Sequence, residues 1–207
     1  MKATRLSIAL AASAALAACA TTPRAGPAEV VSFVAPSAAV QALGQGTIFV
    51  ETAPGPDGDS LQMSRYKAAI ARELVALGYT EAPLEQASQI AQVRVERVVD
   101  ASRERRRGPV SVGVGGGTGS FGSGVGVGLG INLGGNGPRE IVDTQLGVMI
   151  RDRASNETLW EGRAGFEADA RSPLAETAAS ADALAEALFA PFPGATDDPV
   201  IVDLEDR

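Results

Sequence analysis

Between Asp59 and Gly78 the apolar residues Met63, Tyr66, Ile70, Leu74 and Leu77 recur at spacings of three and four. At 3.6 residues per turn this stacks them on one face of a helix. A helix apolar on one face must bury that face against another element, which constrains the fold more than any other feature of the chain. Asp59 is a good N-cap, with Gln62 three residues on to complete a capping box. Gly78 supplies the left-handed residue that stops a helix. The spacing predicts a helix over Ser60 to Leu77.

The rest of the chain offers strands for that face to cover. Val30 to Val34 is a short β-prone run ended by Pro36, and Thr47 to Glu51 is a clearer one. From Ile90 to Val99, Ala91, Val93 and Val95 alternate with polar residues, and the pattern slips at Val98-Val99, which suggests a bulge. Ile141 to Arg151 and Thr158 to Phe166 are two further strands, with turn residues from Asp152 to Glu157 that make them a hairpin. Ser172-Pro173 opens a second helix, with Leu174, Ala178, Ala181, Ala185 and Leu188 on its face and Pro191 at its end. The expected fold is α+β, a two-layer sandwich with a mainly antiparallel sheet and two helices on one face.

The segment 108–137 interrupts this order, and 14 of its 30 residues are glycine. At that density the Gly-x-Gly-x-x-Gly match at Gly117, Gly119 and Gly122 arises by chance, and no helix follows it to hold a phosphate. A period of two is more informative. Val110, Val112 and Val114, then Val125, Val127, Leu129, Ile131 and Leu133, alternate with small residues. Two such arms predict a hairpin that extends the sheet, against the alternative of a flexible insertion, since glycine has the most entropy to lose on ordering. A flat, small-residue face of this kind suits close approach by another strand or surface. Just before it, Arg103, Arg105, Arg106 and Arg107 form a basic cluster. Such a run is ordinarily a solvated strand end; the sharper alternative is a contact to anionic lipid head groups or an acidic partner.

The first residues are an address. Lys2 and Arg5 precede an apolar stretch, Ser7 to Leu16, too short to span a bilayer as a permanent helix. Leu16-Ala17-Ala18-Cys19 then resembles the lipobox of bacterial lipoproteins, in which the cysteine is lipidated and becomes the new N-terminus. Several acyl chains are needed for a durable anchor, because one binds a membrane only marginally. In the sorting rule of similar lipoproteins, Ala20 favours the outer membrane over the inner. The expected organisation is a signal peptide over 1–18, a lipidated Cys19 with a tether to 29, a domain over 30–194, and an acidic, mobile tail over 195–207.

Composition removes many alternatives. The chain has no histidine and one cysteine, Cys19. The commonest general base and metal ligand are therefore missing, with every Ser-His and Cys-His nucleophile pair. Once Cys19 is lipidated, thiol chemistry and zinc–thiolate sites go too. A net charge of −7 argues against nucleic acid as a partner. Carboxylates remain. Glu51, Asp57 and Asp59 are close enough in sequence to suggest calcium, but they lack a complete calcium loop, and turn and cap tasks explain them better. Asp152 and Glu161 flank the late hairpin and would be the pair for acid–base work, although exposed carboxylates at such places are common. Trp160, the only tryptophan, is expected in the core between sheet and helix rather than at an interface. Asn156-Glu157-Thr158 matches a glycosylation acceptor, which has no meaning in a bacterial periplasm. No catalytic, cofactor-binding or metal-ligating residue is assigned.

In order, these features resemble the DUF4136 family of bacterial, mostly lipoprotein, domains of unknown function. The resemblance rests on the lipobox at Cys19, a helix ending Leu74-Val-Ala-Leu-Gly78-Tyr79, and the glycine-rich insertion after the next strand. Val148-Met-Ile-Arg-Asp152 with Leu159-Trp160-Glu161-Gly162, and the closing Phe192-Pro193-Gly194, complete it. The insertion departs from relatives in having almost no aromatic residues, and the acidic tail is extra. The resemblance implies a periplasmic sheet-and-helix domain and carries no catalytic residues to transfer. The expected function is that of a membrane-anchored, non-enzymatic interaction or envelope-accessory module. Its lipid at Cys19 holds the membrane, and the glycine-rich segment offers a surface to a protein partner. The alternative is a binding module for a small hydrophobic ligand or lipid between sheet and helices. A carboxylate-based hydrolase would need two acidic side chains facing one pocket.

Overall fold

The computed structural model of the chain describes residues 25–36, 38–55, 58–100, 111–117, 124–130, 140–196 and 198–204. Cys19, the signal segment, Asp57, Arg103, Arg105, Arg106, Arg107, Gly119 and Gly122 lie outside these residues.

The fold is α+β, a mixed sheet of seven strands with two α-helices. In chain order the elements are β1 (Ala28–Val34), β2 (Thr47–Thr52), α1 (Leu61–Ala76), β3 (Thr80–Glu81), β4 (Gln89–Asp100), β5 (Ser111–Gly117), β6 (Gly124–Gly130), β7 (Ile141–Asp152), β8 (Thr158–Asp169), α2 (Thr177–Phe189) and β9 (Val200–Val202). The sheet order is β3-β2-β4-β7-β8-β1-β9. β2 runs parallel to β3 and β4, with α1 in the crossover that parallel strands require, and the remaining neighbours are antiparallel.

The core forms where alternate strand residues meet the helices. Ala91 and Val93 of β4, Leu146, Val148 and Ile150 of β7, and Trp160, Ala164 and Phe166 of β8 share one cluster with Tyr66, Ile70 and Leu74 of α1 and Leu184 and Leu188 of α2. Period two from the strands and spacings of three and four from the helices thus converge on one apolar volume. Gly78 stops α1 at φ +109°, where a Cβ would stand 2.6 Å from the Gly44 carbonyl oxygen.

Several local expectations are corrected. The N-cap of α1 is Ser60 rather than Asp59. Ser60 is extended, its hydroxyl accepts the Met63 N–H at 3.0 Å, and the Asp59 carboxylate is occupied by Lys67 and Thr52. No bulge occurs at Val98-Val99, because the β4–β7 ladder runs in register to Asp100↔Ile141. The pattern slips there because both valines are exposed, so neither face selects against an apolar residue. The irregularity lies between Ile150 and Arg151, opposite Leu159, and it lets both Leu159 and Trp160 turn inward.

Ser172-Pro173 opens a 3₁₀ turn, Pro173–Ala175, and extended Glu176 separates it from α2. Ala178 is therefore exposed, off the buried face. The small residues Ala25 to Glu29 are part of the sheet and not a tether. Ala25 bridges Ala168, and fully buried Ala28 begins β1. The acidic tail also holds a strand. Val200-Ile201-Val202 pairs with β1, and Val202 and Leu204 are buried.

β5 and β6 pair with each other as a separate two-stranded sheet, with Gly113↔Gly128, Gly115↔Gly126 and Gly117↔Gly124 opposite one another. The expected extension of the main sheet is not made by them. β2 flanks β4 over Gln89–Val93 and β7 flanks it along its whole length, and neither β5 nor β6 pairs with it.

One end of the sheet gathers several features. Val99, Val142, Ala168 and Ala25 form a cross-strand row there. The polypeptide therefore enters the domain at the end where β4 leaves for the glycine-rich segment and β7 returns from it. The turn after Asp152 marks the opposite end.

Candidate functional site

The same end carries the N-termini of both helices. Tyr66 contacts Ser180, Arg72 pairs with Asp182, and Glu73 feels the charge of Glu186, so positions rise together along α1 and α2 and the helices run parallel. Parallel dipoles add, each N-terminus carrying roughly half a positive charge. A cleft of about 210 Å³ opens beside them, lined by Ser60, Gln62, Met63, Val95 and Arg97.

Arg97 organises this region. It extends from the core-facing side of β4, where Thr144 is its cross-strand partner. Its guanidinium donates to the Ala175 carbonyl and, at 3.3 Å, to the Thr177 hydroxyl, and so ties the sheet to the entry of α2. The buried Tyr66 hydroxyl lies 2.9 Å from the Ser180 hydroxyl. Burial pushes the Tyr66 phenol above its ordinary value, so it stays neutral as a hydrogen-bonding group. The arrangement supplies positive potential and hydrogen bonds, and Arg97 spends part of its donor capacity on the protein itself. Sequence reasoning missed Arg97 and Ser180. A signal for Arg97 was present, since Val93-x-Val95-x-Arg97 keeps it in step with the core-facing valines.

The residues singled out from sequence do not converge. Glu51 accepts from Gln92 at 2.8 Å and from Arg151 at 3.3 Å on β4 and β7. Asp59 accepts from Lys67 at 2.6 Å, and the hydrogen bonds from Lys67 and Thr52 hold its carboxyl below the usual range. Asp152 accepts the Ser155 N–H at 2.7 Å and its hydroxyl at 2.8 Å, a turn that likewise lowers its pKa. Glu161 pairs instead with Arg163 at 2.6 Å. Asp152 and Glu161 therefore have separate partners, and acid–base work by the pair has no shared site. Among the described residues no group of three or more acidic, histidine or cysteine side chains is placed so that it could hold a metal ion.

Trp160 is in the core, fully buried. It stacks on Phe189 with centroids 5.4 Å apart and meets Phe192 edge-on at 5.4 Å. Together with Tyr66, Leu184 and Leu188 it fills the space between sheet and helices where a hydrophobic ligand was the alternative expectation.

A family model described as a domain of unknown function, DUF4136, matches residues 45–194. No curated protein matches the sequence. A PDZ domain protein from Parabacteroides distasonis has a similar fold, with a TM-score of 0.51 and 13% identity over 87% of this chain and 39% of that one. This chain thus spans about two fifths of that protein's length. Two structures of a PelC dodecamer from Paraburkholderia phytofirmans are more distant, with TM-scores of 0.42 and 0.40 at 14% identity. They match 78% and 82% of this chain and 96% and 99% of theirs. With residues 45–194, well over half of its length, matched by the family model, this chain belongs to the DUF4136 family.

Proposed function

We propose that this chain is a membrane-tethered, non-enzymatic interaction module of the bacterial cell envelope. Cys19 holds the lipid, Ala20 directs the protein to the periplasmic side of the outer membrane, and the glycine-rich segment contacts a protein partner. The domain itself is a two-layer sandwich with both helices on one face of the sheet, and its layers serve to position that segment.

The observation that carries this reading is the place of the segment. The β4–β7 ladder continues unbroken to Asp100↔Ile141, so residues 101–140 are inserted between these two strands, and the described strands among them, β5 and β6, pair with each other rather than with the seven-stranded sheet. An insertion at a hairpin tip leaves the scaffold intact and is a common place for binding residues. The register within it adds to this. Three Gly↔Gly pairs fall on one side of the β5–β6 ribbon, where bare backbone permits close approach. The lack of histidine supports a non-enzymatic role.

Deleting residues 108–137 tests the reading. In cells treated with a periplasmic crosslinker, the adducts formed by the intact chain are expected to disappear. The melting temperature of the purified domain should stay unchanged, because β5 and β6, the described strands among the deleted residues, lie outside the seven-stranded sheet. Adducts that persist after the deletion contradict the assignment of the segment as the contact.

A further inference from the structure

We infer that the domain stands end-on against the phospholipid surface, with the helix N-termini and the β4 tip facing the bilayer. This rests on the proposed anchor at Cys19 and adds which face of the domain the membrane covers.

Three independent placements point the same way. The first is chain length. Only the steps from Cys19 to Ala25 separate the anchor from the sheet, at most about 20 Å of fully extended chain. Ala25 lies in one row with Ala168, Val142 and Val99, so this end of the sheet is the one drawn toward the membrane.

The second is exposed apolar surface drawn from neighbouring elements, whereas at the opposite end Phe33 and Val75 are exposed singly on β1 and on the last turn of α1. Leu61, in the first turn of α1, is 80% exposed, and Val98 and Val99, at the end of β4, are 51% and 52% exposed. The cleft between Ser60 to Met63 and Val95 to Arg97 places these two elements side by side. Large apolar side chains left to water from two neighbouring elements at one end fit the interfacial region of a bilayer.

The third is charge. Both helices present their positive ends here, and lipid phosphates are the anions that such ends favour. Asp100, Asp143, Glu167 and Asp169 also lie toward this end, but each is already engaged in a hydrogen bond or electrostatic contact.

The test uses the acylated full-length chain in vesicles of phosphatidylethanolamine and phosphatidylglycerol. An environment-sensitive fluorophore is placed on Val98→Cys, on Leu61→Cys or, at the opposite end, on Ser155→Cys. All three positions are exposed, and lipid blocks the thiol of Cys19 itself. Quenching by nitroxide-bearing head groups is expected to be at least about threefold stronger at positions 98 and 61 than at 155, since about 35 Å of strand separates the two ends. Equal quenching at all three positions, or stronger quenching at 155, overturns the orientation while leaving the anchor in place. A chain that does not float with the vesicles and carries no lipid overturns the anchor and the orientation together.

Discussion

Truncating Trp160 to alanine is expected to lower the unfolding free energy by about 3–5 kcal/mol, the range for removing a large aromatic side chain from a core. Domains of this kind have about 5–15 kcal/mol in total, so the variant should be close to unfolding at growth temperature. Trp160 is fully buried, and its indole is held by Phe189 on its face and Phe192 at its edge. Phe189 and Phe192 also meet edge-on at 5.7 Å, so each of the three rings touches the other two. Loss of the indole strips both phenylalanines of contact at once, and the surrounding strands are too constrained by their ladders to close the void. Urea denaturation checks this directly: the midpoint should fall sharply with little change in slope. A loss below about 1 kcal/mol would place the core elsewhere.

Gly162→Ala is the second large effect, and it acts through the same ring. A Cβ at Gly162 would stand 2.1 Å from the Trp160 Cη2 atom, with Cζ2 and Cζ3 at 2.7 and 2.8 Å. A flexible side chain would yield, but this indole is pinned between two phenylalanines. The expected cost is about 3 kcal/mol, at the upper end for overpacking by one methyl group. In the Trp160→Ala background the same substitution meets an empty space, and its cost should drop below about 1 kcal/mol. The resulting coupling of about 2 kcal/mol is the signature of direct contact. Additive effects in the double-mutant cycle would show that Gly162 is required for some other reason.

This packing also shows why part of the fold was legible in the sequence and part was not. Helix α1 could be read because Met63, Tyr66, Ile70 and Leu74 all face one core, and Gly78 is the residue its end demands. The strands of the central hairpins could be read because one of their faces is buried and the other is not. Signals failed where short-range chemistry had more than one solution. Asp59 and Ser60 are both good caps, and Lys67, two turns along the helix, decided between them by occupying the aspartate. Val200 to Val202 was hidden by the acidic residues around it, although pairing with β1 required only three residues. Ala25 and Ala28 looked like linker because their side chains are small, yet both are buried, Ala25 bridging β8 and Ala28 lying in β1 between β8 and β9.

The candidate site was less legible still. The carboxylates that attract attention in the sequence are used for turns, ion pairs and strand-to-strand contacts. The groups that the fold does assemble, Arg97, Tyr66, Ser180 and the two helix N-termini, come from segments far apart in the chain. Their proximity depends on α1 and α2 running parallel, a property of topology that no local pattern encodes. The shared end of the sheet, where the chain enters and the glycine-rich segment departs, is of the same kind.

The central claim is that the domain is held at a membrane through Cys19. Its most direct test is the mass of the N-terminal tryptic peptide of the protein purified from bacterial membranes. The expected result is a peptide that begins at Cys19 and ends at Arg24, heavier than its sequence by a diacylglyceryl group and an N-linked acyl chain. An unmodified Cys19 thiol, or a mature N-terminus at any other residue, would contradict the claim.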